Sequence, residues 1–155
     1  MRITKQEEYG LRCILQLALS SSKLVTTEEI AGKEGLSVEY VTKLLIMLRK
    51  AGLVNSLRGV KGGYLLAREP EKITIGQVMR ALGWAFLDES MCEHYPGKLD
   101  LCIHLNGCGI RPIWIAASKM VYQLLDGTTL AHLLKEEKNV VEDISVKFAN
   151  NLERH

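Results

Sequence analysis

The apolar positions of the chain fall into blocks of different period. Leu11, Cys13, Ile14, Leu15, Leu17, Ala18 and Leu19 surround a helix running from about Thr4 to Leu19, which predicts a central, largely buried element. Glu7 and Glu8 lie in its first turn, where carboxylates suit the helix dipole, and Glu8 is spaced to pair with Arg12. Thr26-Thr27-Glu28-Glu29 is a capping box that opens a short helix through Ile30 and Ala31, closed by Gly35. Ser37 caps a second helix through Lys50, ended by Gly52, with Val38, Val41, Leu44, Leu45 and Leu48 inward and Glu39, Thr42, Lys43, Ile46 and Lys50 outward. Two helices joined by such a turn can place the second in a DNA major groove.

The period then shortens. Leu53 to Leu57 and Tyr64 to Ala67 read as two strands around Arg58-Gly59-Val60-Lys61-Gly62-Gly63, a hairpin with a glycine-rich tip. A phosphate-cradling loop would need a helix directly after the glycines, and a strand follows instead. A hairpin after a recognition helix is a wing. After the linker Glu69-Pro70-Glu71-Lys72, Thr74 and Gln77 cap a helix carrying Ile75, Val78, Met79 and Leu82 on one face. A long helix from about Arg111 to Leu125 bears a stripe of Ile113, Trp114, Ala117, Val121, Leu124 and Leu125. Its simplest use is dimerisation. Thr128 or Thr129 starts a shorter helix through Leu133, and Asn139 with Glu142 caps a last amphipathic segment carrying Val141, Ile144, Phe148 and Leu152.

Composition narrows the function. At 155 residues and 47% hydrophobic, the chain can bury one good core plus an appendage. No stretch is long and apolar enough to span a membrane, and the amino terminus does not make a signal peptide, so a cytoplasmic protein without membrane partners is expected. The net charge of +2 is unevenly spread, with 12 Lys/Arg against 8 Asp/Glu in residues 1–72 and 8 against 10 in residues 73–155. Thr42 to Lys72 holds seven basic and two acidic residues, a local basic face suited to nucleic acid. DNA contacts are expected from Thr27, Ser37, Tyr40, Thr42 and Lys43 on the helices and from Arg58, Gly59, Lys61 and Gly62 on the wing. His94, His104, His132 and His155 are scattered, and no nucleophile–base arrangement supports an enzyme.

Three of the four cysteines crowd into MCEHYPGKLDLCIHLNGC, residues 91–108. A polar, turn-rich loop has no packing need for three thiols. Cys92, Cys102 and Cys108 instead suit a zinc ion or an iron–sulfur cluster, and either would need a fourth ligand. Cys13, within the first helix, reads as a small core hydrophobe.

These segments together resemble the IscR/NsrR/RirA-type family of bacterial winged-helix regulators. The resemblance is carried by MRITKQEEYGLRCILQLAL, LSVEYVTKLLIMLRKAGLV, SLRGVKGGYLLAREPEKITIGQVMRAL, the three cysteines and LLDGTTLAHLL, over roughly residues 1–134. It implies a mainly α protein with a small β-hairpin: a winged helix-turn-helix DNA-binding domain (1–83), a cysteine-bearing cluster loop (84–109), then a long dimerisation helix and C-terminal helices (110–155). It also implies a homodimer on an inverted-repeat, double-stranded operator. Control would come from an iron–sulfur cluster (2Fe–2S or 4Fe–4S) sensing iron, nitric oxide or redox state, where a zinc-stabilised module would not switch. Some relatives use a histidine three residues past the last cysteine, where this chain has Arg111. Others draw a carboxylate from the partner's first helix, and Glu8 stands at that position, with His94 and His104 as competitors inside the loop. The first two cysteines are also spaced more widely than in many relatives, and Thr42 replaces a glutamate common in the recognition helix.

Overall fold

A computed structural model describes residues 3–20, 23–59, 62–85, 98–104, 107–135 and 137–152. Its elements, in chain order, are α1 (Lys5–Leu19), α2 (Thr27–Glu34), α3 (Val38–Lys50), β1 (Val54–Leu57), β2 (Gly63–Leu66), a 3-10 turn (Pro70–Lys72), α4 (Ile75–Ala81), α5 (Arg111–Asp126), α6 (Leu130–Leu133) and α7 (Glu137–Leu152). The architecture is the expected mainly α winged helix with one hairpin. Among the described residues no helix is long and apolar enough to cross a membrane.

α1 is the central post. Cys13, Ile14 and Leu17 are buried on it, and α2, α3 and α4 all pack against it. Gly10 faces the Leu82 side chain so closely that a Cβ would overlap it, and Gln6 Nε2 donates to the Leu82 carbonyl at 2.7 Å. Leu19, expected in the apolar surround, is instead 60% exposed, because it lies at the helix end past the last packing layer. The caps at Thr26 and Thr74 form as their sequences require, with Glu29 and Gln77 reaching back to the cap amides. Gly35 takes the left-handed conformation (φ 66°) that ends α2, and Leu36 N–H reaches the Ala31 carbonyl at 3.0 Å.

α3 buries Val41, Leu44, Leu45 and Leu48 completely, each contributing roughly 1.5–3 kcal/mol of transfer free energy, whereas Val38 is half-buried. After α3 the chain turns at Gly52 (φ 70°) and drops Leu53 and Val54 into the same core. The strands pair antiparallel with Val54 opposite Leu66 and Leu57 opposite Gly63, one residue displaced from the expected Leu53 and Ala67 ends. Val25 adds a third rung beside Tyr64, exchanging N–H···O bonds of 2.9 and 2.8 Å. That rung explains Gly63: a Cβ there would sit 2.9 Å from the Val25 carbonyl oxygen.

The C-terminal part returns to this core before leaving it again. Thr74 bridges Thr129, with Ile75 N–H on the Thr128 carbonyl (2.8 Å) and Leu130 N–H on the Ile73 carbonyl (2.9 Å). Leu130 is fully buried beside residues from α1 and α4. α5 runs one residue longer than expected, and none of its residues is buried. α6 is capped at Thr129, whose amide meets His132 Nδ1 at 3.2 Å. α7 begins at Glu137, so Asn139 lies inside the helix rather than capping it. Asparagine costs an interior helix position only about 0.7 kcal/mol, and Glu137 in the first turn favours the helix dipole there. The side chains of Phe148 and Leu152 lie outside the described residues.

Candidate nucleic-acid interface and cysteine segment

The recognition helix α3 is fixed from behind by its four buried residues, which turn the opposite face to solvent. Ser37 Oγ accepts the Tyr40 amide at 3.3 Å, so this hydroxyl is committed to the cap. The Tyr40 ring meets Tyr9 of α1 edge-on at 6.1 Å, which seats the first turn of α3 against the post. Thr42 Oγ1 donates to the Val38 carbonyl at 2.8 Å and keeps only its methyl and lone pairs for a ligand. Thr27 Oγ1 donates to Glu28 at 3.1 Å. Lys43 is exposed and makes no ion pair among the described residues. Arg49 and Lys50, not singled out from the sequence as contacts, extend the exposed basic face to the end of the helix. Lys50 already stood on the outward face by its period, whereas Arg49 was legible only as charge.

On the wing, Arg58 and Gly59 are exposed at the tip, and Gly59 has φ 119°, a conformation that favours glycine. Gly62 donates to the Gly59 carbonyl at 2.9 Å, and a Cβ on Gly62 would lie 2.6 Å from the Leu57 carbonyl oxygen. The tip therefore depends on glycine for its closure. Lys61 lies outside the described residues.

The ion-pair partner expected for Glu8 is taken. Arg12 Nε meets Glu34 of α2 at 2.6 Å, and its guanidinium lies over Tyr9, 5.4 Å from the ring centroid. Glu34, well buried and also reached by Gln16, offers the better-desolvated carboxylate, and it holds the Arg12 pKa above the ordinary arginine value. Glu8 is left exposed one turn earlier on α1.

Cys102 and Cys108 are half-buried free thiols, and Cys92 and His94 lie outside the described residues. Cys108 Sγ accepts the Arg111 amide at 3.3 Å at the start of α5. Backbone N–H groups of Arg111 and Ile110 pull its pKa below the ordinary thiol value and favour the thiolate, the form that binds metal. Cys13 is the opposite case. Burial pushes its thiol up to about 12, and it is fully enclosed, as a core hydrophobe should be. Among the described residues no three histidine, cysteine or acidic side chains converge as a metal site, so Glu8, His104, Cys102 and Cys108 are not gathered within one chain.

Comparison with known proteins agrees with this geometry. The chain is 36% identical over 137 residues to Protein rrf2 of Nitratidesulfovibrio vulgaris, covering 88% of this chain and 89% of that one. It is similar to the solved structure of IscR from T. potens (33% identity, 86% of each chain, TM-score 0.64). It is similar as well to CymR (YrzC), described as the global cysteine regulator of B. subtilis (33% identity, 86% of this chain and 95% of that one, TM-score 0.67). The family model Rrf2, iron-dependent transcriptional regulator, matches residues 3–136. A buried helix–turn–helix with an outward basic face, matched over this length, places the chain in the Rrf2 family of DNA-binding transcriptional regulators.

Proposed function

We propose that the protein is a homodimeric regulator whose operator binding is controlled by an iron–sulfur cluster held by Cys92, Cys102 and Cys108. The observation that carries the control is Cys108: a thiolate-favouring cysteine whose sulfur accepts the first amide of α5, the helix whose N-terminal apolar residues Ile113 and Trp114 stay exposed among the described residues. Soft thiolates suit iron–sulfur ligation, and the fourth ligand is Glu8 of the partner subunit, exposed on α1 while Arg12 makes its close ion pair with Glu34. When bound, the cluster supplies a site whose ligation responds to iron, nitric oxide or redox state. The chain's own contribution is to hold thiolates at the root of the dimer helix.

DNA is met by Thr27, Ser37, Tyr40, Thr42 and Lys43, and by Arg58, Gly59, Lys61 and Gly62 on the wing. Because three of these hydroxyl groups already serve the protein's own backbone or side chains, Lys43 and Arg58 carry most of the attraction. Arg58→Ala should weaken binding to operator and random duplex alike, while Lys43→Ala should change preference among operators by about 1–3 kcal/mol. The dimer forms along the exposed part of the α5 stripe containing Ile113 and Trp114, Val121 being shared with the chain's own core, and sets two recognition helices on an inverted repeat.

The likeness to a cysteine regulator favours one other reading, in which the chain binds DNA without cluster switching, metal-free or with zinc. Anaerobic purification separates them. Brown protein with iron and sulfide, lost in Cys92→Ala, Cys102→Ala or Cys108→Ala and kept in Cys13→Ala, supports the cluster. Colourless protein with full operator affinity removes it.

A further inference from the structure

Between the recognition helix and the exposed part of α5 stands α4, which packs on α1, α3 and α5. The last residue of α5, Asp126, is held there by two hydrogen bonds from Arg80, Nη2 to Oδ1 at 2.7 Å and Nη1 to Oδ2 at 3.2 Å. The same guanidinium lies over Tyr122, 6.0 Å from its centroid, and Tyr122 meets Trp84 edge-on at 5.6 Å. Gly76, one helical turn before Arg80, abuts the Asp126 carboxylate so closely that a Cβ would overlap Oδ1. Just past Asp126 the Thr74–Thr129 bridge pins the chain a second time.

Two fixed points at one end and exposure at the other make α5 a lever. Its 16 residues span roughly 24 Å, so a swing of roughly 10° at the base moves the far end by roughly 4 Å, comparable to one base-pair step. Both side chains of the pair are about half exposed, so the pair adds little to folding stability, while its two parallel bonds do specify an angle.

We propose that Arg80, Asp126 and Gly76 form a bracket that fixes the direction in which α5 leaves the winged helix. In the dimer they are thereby positioning residues for the separation of the two recognition helices. The inference rests on the dimeric reading above and assigns the residues that set its operator spacing.

The test uses full-length protein and a duplex selected by the wild type from a random-sequence pool. That duplex is then rebuilt with one base pair inserted or removed between its half-sites. The wild type should prefer the selected spacing. In Asp126→Ala and Arg80→Ala, shown by circular dichroism and sedimentation to be folded dimers, this preference should fall by roughly tenfold, with binding to random duplex unchanged. Gly76→Ala removes neither charge and only displaces the carboxylate, so it should give the same loss and decides the matter if the other variants fail to fold. Unchanged spacing preference, or equal weakening at every spacing, overturns the bracket and leaves the dimeric reading intact. A wild type that selects no inverted repeat overturns that reading and the bracket with it.

Discussion

The helix–turn–helix and α5 are both rich in apolar residues, yet they use them in opposite ways. α3 encloses Val41, Leu44, Leu45 and Leu48 within one chain, backed by α1 and by Leu53 and Val54 at the root of the wing. α5 leaves Ile113 64% and Trp114 46% exposed, and only its C-terminal third, through Val121, Tyr122 and Leu125, leans on the core. The first region has its apolar face enclosed by the chain's own core. The second keeps an apolar surface that the described residues leave uncovered, the kind of patch that suits the dimer contact proposed above.

The contrast can be tested by truncation. Leu44→Ala should cost about 2–5 kcal/mol in denaturant unfolding, since the site is fully enclosed and a cavity remains. Ile113→Ala should cost about 0.5 kcal/mol or less in a dilute, monomeric sample, yet weaken self-association in sedimentation. Equal losses in the two variants would break the comparison.

Two glycines sharpen it on a smaller scale. Gly63→Ala places a methyl 2.9 Å from the Val25 carbonyl oxygen and should destabilise by about 1–3 kcal/mol, because backbone on both sides of the rung resists moving. Gly32→Ala meets nothing within 4 Å on the outer face of α2 and should stabilise by up to about 1 kcal/mol. Urea melts of the two variants give the sign directly.

The cysteines separate the regions by pH. The folded Cys13 pKa of about 12 lies above the ordinary value of 9.0, so the native state holds the proton more tightly than the unfolded chain. Its contribution to stability is complete below about pH 9 and is lost as pH rises towards 12, at about 1.4 kcal/mol per pH unit. Cys13→Ala should flatten that alkaline slope. Cys108, shifted the other way, should be alkylated at neutral pH by iodoacetamide well before Cys13, as mass spectrometry of tryptic peptides would show.

The caps, the buried stripe of α3, Gly35, the hairpin and the core role of Cys13 were all legible in the sequence. Each rests on local rules: a side chain bonding an amide three residues away, a 3.6-residue period, or a backbone conformation open to glycine. The pairing of Arg12 was not legible. An i,i+4 neighbour is visible in a string of letters, whereas Glu34 is 22 residues away and becomes the stronger partner only because packing α2 on α1 desolvates it. The expected cap at Asn139 failed for a related reason, since a helix that extends past a weak cap signal leaves no local trace. Val25 joining the wing and Leu130 entering the N-terminal core belong here too, as contacts across distance in the chain. The sequence by itself determined the elements, the donor chemistry of the cysteines and the basic face of the reader. Only the tertiary structure decided which charges pair, which apolar face stays uncovered and where α5 is anchored, because desolvation and close approach are properties of surfaces brought together, not of neighbours along the chain.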